Sequence, residues 1–177
     1  MRCATAAIPR EWSDMRQALI VFAAALALAA CQPKAKGPDM SAESAAFMKK
    51  VAAEEGVKLL PSGVAYKVVR SGPETGMKPT LKDEVKVHYE GKLVNGRVFD
   101  SSYERGAPAA MPLSGLIPAW QEALVQMRPG DEWILYVPPE QGYGAEGAGG
   151  EIPPNAALIF RIELIDVLPG PGRVMQG

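Results

Sequence analysis

Residues 84 to 94 alternate between apolar and polar side chains, with Val85, Val87 and Tyr89 on one side and Glu84, Lys86, His88 and Glu90 on the other. Successive side chains of a strand point to opposite faces, so this pattern describes a strand with one face in a core and one toward water. Asn95-Gly96 follows it directly. That pair predicts a tight hairpin of type I′, which needs positive φ at both central positions. Arg97 to Ser102 then returns as the partner strand. A second alternating stretch runs from Ala157 to Val167, with Leu158, Phe160, Ile162 and Leu164 facing one way. Val64 to Val69 is a β-branched run, and Glu132 to Val137 is a further strand after the turn Pro129-Gly130-Asp131. One helix interrupts the strands. Pro118 suits its first turn, where the missing N–H costs nothing, and Trp120, Leu124 and Met127 share a face as it runs to about Met127. Residues 139–154 form a long Gly/Pro loop. An α+β fold satisfies this inventory: a strongly bent antiparallel sheet wrapped on one short helix.

The first third of the chain reads differently. Arg16 precedes an apolar run from Ala18 to Ala30, too short to span a bilayer as a helix. It ends in Leu28-Ala29-Ala30-Cys31, which resembles a bacterial lipoprotein signal whose cysteine thiol is acylated. The alternative is an ordinary secretory signal cleaved near Ala30. Residues 1–30 are therefore expected to be a signal peptide, with Met15 as the start suggested by the acidic Glu11 and Asp14 ahead of it. Cleavage before Cys31 would remove Cys3 and leave Cys31 as the sole cysteine. Two or more acyl chains there would hold the protein stably on a membrane. Gln32 in place of Asp resembles outer-membrane sorting, with the domain facing the periplasm. Residues 31–59 are expected to be a lipid-anchored tether with a short helix from a Ser41 cap to about Glu55, read as a spacer. The strand-rich domain then takes residues 60–168, and 169–177 is expected to be a disordered tail.

Several chemistries are disfavoured by what the sequence contains. The formal charge is −1, without the basic patch that a nucleic-acid partner would need. His88 is the only histidine, so no second one exists to share a metal, and its place on an alternating strand suits a structural role. No Ser or Cys nucleophile stands near a base, and no helix follows the glycines at 144–150 to bind phosphate.

Three separated segments carry a different message. Val87-His88-Tyr89-Glu90-Gly91 runs on to Val98-Phe99-Asp100-Ser101-Ser102. Leu116-Ile117-Pro118-Ala119-Trp120 follows, then Gly142-Tyr143-Gly144 with Glu151-Ile152-Pro153-Pro154-Asn155-Ala156. Together, from about Leu60 to Leu168, they resemble the FK506-binding-protein (FKBP) type of peptidyl-prolyl cis/trans isomerase. The resemblance implies a half-barrel sheet holding a helix in its concave face, and a site that needs no cofactor, metal or nucleotide. Carried onto this sequence, it implies that Tyr89, Phe99, Asp100 and Tyr143 act in catalysis. Tyr89 and Phe99 would line a proline pocket, Asp100 would orient a hydroxyl or amide, and the Tyr143 hydroxyl would meet a substrate carbonyl. Trp120 would form the floor and Phe160 a wall. Leu116 and Ile117 would border the pocket, with the Ile117 N–H meeting another carbonyl, and Ile152 would add apolar surface. Met111 stands where many relatives have Phe, and Gln141 where many have an aromatic.

The substrates implied are proline-containing polypeptides folding in the cell envelope, with macrolide inhibitors as further ligands and a monomer as the expected state. The competing reading is a catalytically weak chaperone or binder of proline segments. A purely structural lipoprotein is the third, and it does not require a Tyr/Asp/Trp constellation.

Overall fold

A computed structural model describes residues 37–172. The N-terminal segment, including Cys31 and the expected signal, lies outside the described residues, as do residues 173–177. The described chain contains helix α1 (Ser41–Ala52), strands β1 (Val57–Leu59), β2 (Ala65–Arg70), β3 (Glu84–Leu93), β4 (Val98–Ser101) and β5 (Ala109–Pro112), helix α2 (Pro118–Leu124), and strands β6 (Glu132–Val137) and β7 (Leu158–Leu168). All strands join one antiparallel sheet in the order β1-β2-β6-β7-β3-β4, with β5 also paired to β3.

The long alternating strand organises this sheet. Along one edge β3 pairs with β7 from Glu84↔Leu168 to Leu93↔Leu158. Its other edge is shared, with β5 opposite Glu84 to Val87 and β4 opposite Glu90 to Lys92. The side of β3 that carries Val85, Val87, Tyr89 and Leu93 is buried, as is the Leu158, Phe160, Ile162 and Leu164 side of β7. Both pack on Trp120, Ala123, Leu124 and Met127 in a single core. The bent sheet around one helix is thus observed.

Several local expectations are corrected. The hairpin after β3 is not type I′, because Asn95 keeps a negative φ while Gly96 sits at +87°. Gly96 N–H bonds Leu93 O and Leu93 N–H bonds Arg97 O, so Val94-Asn95 is the central pair and Gly96 takes the left-handed bulge position. The helix at Pro118 ends at Leu124, and Met127 is buried just beyond it, in turns made by Gln126 and Met127 N–H bonds to Ala123 O and Leu124 O. Residues 109–112 form a further strand, β5, and β1 carries too few residues to show alternation.

Helix α1 is docked on the domain and is not a free spacer. Ser44, 2% exposed, donates its hydroxyl to Asn155 O at 2.7 Å and accepts the Ala157 N–H at 2.7 Å. Val51 is fully buried, and Phe47 meets Tyr136 with ring centroids 6.0 Å apart. Ser41 does not cap this helix; its own N–H is accepted by Asp39 Oδ1 at 2.8 Å. The Asp39 carboxyl is held below its ordinary range by the Ser41 backbone bond and by Asn155. At the other end, Gly170 N–H bonds Asp83 Oδ1 at 2.9 Å, so the chain stays fixed beyond β7 where a disordered tail was expected.

Candidate functional site

A cavity of about 290 Å³ opens at the concave side of the sheet. Its floor is Trp120, which α2 presents from its first turn and which is only 4% exposed. Three aromatic rings stand nearly perpendicular in sequence around it. Tyr89 meets Trp120 edge-on at 5.2 Å and 82°, Phe160 meets it at 5.3 Å and 87°, and Phe99 meets Phe160 at 5.7 Å and 87°. Edge-to-face contact suits the ring quadrupoles and fixes each ring's tilt.

Backbone irregularities aim these rings. The β3–β4 register jumps from Gly91↔Asp100 to Lys92↔Val98, and Phe99 is the residue passed over. A bulge of this kind re-aims a side chain. Gly91 leaves space for the result. A Cβ at that position would stand 2.7 Å from the Phe99 ring and 2.8 Å from the Phe160 ring. The stretch before α2 is held by Gln121, whose side-chain amide donates to Ser114 O at 3.1 Å and Leu116 O at 2.7 Å. This sets Leu116 and Ile117 on the cavity rim. The Ile117 carbonyl receives the Trp120 and Gln121 N–H groups, while its own N–H has no backbone acceptor among the described residues.

The polar part of the site is compact. Tyr89 donates its hydroxyl to Asp100 Oδ2 at 2.5 Å. Arg105 Nη2 donates to the same Tyr89 oxygen at 2.8 Å, and Arg105 Nη1 pairs with Asp100 Oδ1. The guanidinium carbon also lies 5.4 Å from the Tyr89 ring centre. Burial pushes the Asp100 carboxyl up, but the bonds from Tyr89 and Arg105 and the Arg105 charge outweigh it and hold the group below its ordinary value. Burial and the Asp100 bond push the Tyr89 hydroxyl up, so it remains a donor. Tyr143, 40% exposed at the rim, is raised by burial and by the Asp100 charge.

Of the residues expected at the site, Tyr89, Phe99, Asp100, Met111, Leu116, Ile117, Trp120, Tyr143 and Phe160 line this one cavity. Ile152 does not. It is 7% exposed within the core and bridges Ala148, so it supports the loop from beneath. Gln141 lies outside the cavity, in a neighbouring depression. His88 faces away, with Nδ1 2.9 Å from Ser102 Oγ and its ring stacked on Tyr103 at 4.7 Å. Among the described residues no group of His, Cys, Asp and Glu is close enough to share a metal.

The comparisons with known proteins agree with this geometry. The sequence profile of FKBP-type peptidyl-prolyl cis-trans isomerase matches residues 75–165, and that of the domain amino-terminal to it matches residues 5–68. The peptidyl-prolyl cis-trans isomerase Mip of Coxiella burnetii is 54% identical over 125 residues, covering 71% of this chain and 54% of that protein. The chain belongs to the FKBP-type family. A crystal structure of a peptidyl-prolyl cis-trans isomerase from Pseudomonas syringae superposes with a TM-score of 0.68 at 39% identity, over 73% of this chain and 93% of that one. The outer membrane protein MIP of Legionella longbeachae is 42% identical over 132 residues, covering 75% of this chain and 56% of that protein. The chain thus spans little more than half the length of these two curated relatives.

Two residues that support this cavity are given no role in the sequence reading. Arg105 is brought back onto Asp100 by the turn Tyr103–Gly106, closed by Gly106 N–H to Tyr103 O, with Gly106 at φ +71°. The signal was there, in an Arg one residue before a glycine that follows an Asp at short range. Ser102, fully buried, accepts the Tyr89 N–H at 2.7 Å and so fixes the backbone that carries the Tyr89 ring.

Proposed function

We propose that this chain is a peptidyl-prolyl cis/trans isomerase acting on proline-containing polypeptides. The observation that carries the reading is the apolar cavity floored by Trp120, with the Tyr89–Asp100–Arg105 trio at its edge. Rotation about an Xaa-Pro bond breaks no covalent bond. The barrier of about 18–20 kcal/mol comes from amide resonance. That resonance is lost in the twisted form, so its carbonyl oxygen carries less negative charge and its nitrogen becomes pyramidal. The less polar species loses less on leaving water, and a dry aromatic cavity therefore favours it over the planar ground state.

Tyr89, Phe99, Trp120 and Phe160 take the proline ring in this mechanism, with Met111 and Leu116 completing the apolar wall. The Ile117 N–H and the Tyr143 hydroxyl hold the two flanking carbonyls and fix the backbone while the bond turns. Asp100 accepts from Tyr89 and Arg105, which keeps the aromatic edge rigid, and its lone pairs at the cavity wall face the carbonyl that is losing charge. Macrolides that mimic the twisted proline segment are ligands of the same cavity. The domain works as a monomer.

The setting is the cell envelope, supported by the Legionella longbeachae relative whose name places it in the outer membrane. Within that setting, Cys31 carries the lipid anchor after removal of residues 1–30, and the domain faces the periplasm. Its clients are envelope proteins, whose uncatalysed Xaa-Pro isomerisation takes roughly 10–100 s at 25 °C.

The deciding experiment is isomerisation of a short Xaa-Pro peptide series by the full chain in detergent, read by protease-coupled kinetics. Acceleration that falls about tenfold in Asp100→Leu supports the enzyme and its site. A folded protein that accelerates no peptide would replace this reading by that of a binder, which Met111 in the cavity wall favours because a flexible thioether defines a proline pocket less sharply than a ring.

A further inference from the structure

A second depression of about 380 Å³ adjoins the site, lined by Ser62, Leu81, Pro118, Glu122, Val125 and Gln141, with Gln121 at its side. Its position follows from the fold. Ile117 lines the first cavity and Pro118, the next residue, lines this one. Tyr143 and Gln141, two residues apart, stand in the same relation on the opposite loop. Because neighbouring residues of the same two segments line both, a polypeptide leaving the proline cavity in extended form along them reaches the depression within a few residues.

The chemistry of the depression is specific. Leu81 is 48% exposed, and Val125 is partly buried against the core, giving an apolar flank. Glu122 supplies a carboxylate. It accepts the Ser62 hydroxyl at Oε2 and the Ser62 N–H at 3.4 Å at Oε1, which hold it in place. A carboxylate offers about four lone-pair sites, so capacity remains. No cation pairs with Glu122 among the described residues, although Asp100, Glu90, Glu132 and Glu163 all have one. The depression therefore combines a fixed carboxylate, with no cationic partner among the described residues, with an apolar shelf beside it.

We propose that this depression is a second substrate subsite, which seats a lysine or arginine of the client a few residues from the proline. The methylene stem lies on Leu81 and Val125 while the charged head reaches Glu122, as long cationic side chains do at an apolar border. The Gln141 amide contributes a polar rim. The subsite rests on the isomerase reading of the adjacent cavity and deepens it by naming a preference that lies beyond the Xaa-Pro pair.

The test uses the full chain in detergent and peptides of about ten residues with one central proline, carrying Lys, Ala or Glu at successive positions two to four residues to either side. Isomerisation is followed by NMR exchange, which needs no protease, and Kd is read on the same samples. The Lys peptide should show a kcat/KM about two- to fivefold above the Glu peptide on one side of the proline, through KM and not kcat, and 0.5 M salt should narrow the gap. Glu122→Gln, whose amide oxygen still accepts from Ser62, should abolish the Lys/Glu ratio, and Glu122→Lys should invert it. Equal kcat/KM for Lys and Glu peptides at every position, or a ratio untouched in both variants, overturns the subsite. If no peptide is accelerated, the isomerase reading fails, and Kd decides the subsite alone by the same charge comparison.

Discussion

Gly91 shows how a single atom's absence can set up a site. With 2.7 Å and 2.8 Å between its would-be Cβ and the Phe99 and Phe160 rings, any side chain there must push two cavity walls apart. Neither ring has a flexible end to yield. Gly91→Ala should lower unfolding stability by about 1–3 kcal/mol, the usual cost of overpacking, and lower kcat/KM as well. Chemical denaturation and the peptide assay read the two effects, and a variant with unchanged stability and turnover would show that the rings are free to move. Asp100 sets the pH response. Its folded pKa is depressed, so its contribution is fully present above the ordinary carboxylate value of 3.8 and is lost only as pH falls through the lower folded value. Its share of kcat/KM should be flat from about pH 5 to 8, with acid loss beginning below the ordinary value. The wild type and Asp100→Leu, compared across that range, should keep a constant ratio; a step in the ratio would show that Asp100 titrates there.

At the scale of elements, α1 is the part whose role the sequence concealed. Its apolar stripe is weak, and what fixes it is one hydroxyl that satisfies a carbonyl and an N–H of the segment leading into β7. A serine in a short polar helix carries no periodicity that would reveal such a partner 111 residues away. Ser44→Ala leaves a buried N–H and a partly buried carbonyl without this partner, and should cost about 1–3 kcal/mol. Thermal unfolding with and without the substitution measures it; a shift within error would mean that α1 docks through Val51 and Phe47 alone. The strands were legible for the opposite reason. In β3 and β7 the alternation extends over ten residues or more, so burial on one face is written into every second position. β5 was not, because Ala109 to Pro112 has neither the length nor the contrast to stand out, and only the neighbouring edge of β3 makes it a strand. The hairpin was placed correctly and its turn type was not, since Asn-Gly fits both a type I′ pair and the last two positions of a turn with a bulge.

Across the whole molecule, the site joins residues from β3, β4, β5, α2, β7 and the loop at Tyr143, segments up to seventy positions apart. No spacing rule in one chain assembles such a set; the resemblance of three separated segments named it, and Ile152, folded under the loop, is the residue it named that does not line the cavity. Arg105 escaped because its part depends on a turn and not on a motif. Among the described residues, the cavity is lined entirely from within 89–160. Anchoring and turnover should then be separable. Cys31→Ser removes the proposed acylation site and should move the protein from the membrane to the soluble envelope fraction, while kcat/KM on a short Xaa-Pro peptide stays within about twofold, below the tenfold that ~1.4 kcal/mol of lost transition-state stabilisation would produce. Fractionation of cells expressing each form, followed by the peptide assay on both, reads the two quantities independently. Protein that remains with the membrane after the substitution would mean that the lipid is not what holds it there. A parallel fall in turnover would mean that the N-terminal segment contributes to the domain, which would return α1 and the residues before it to the account of the site.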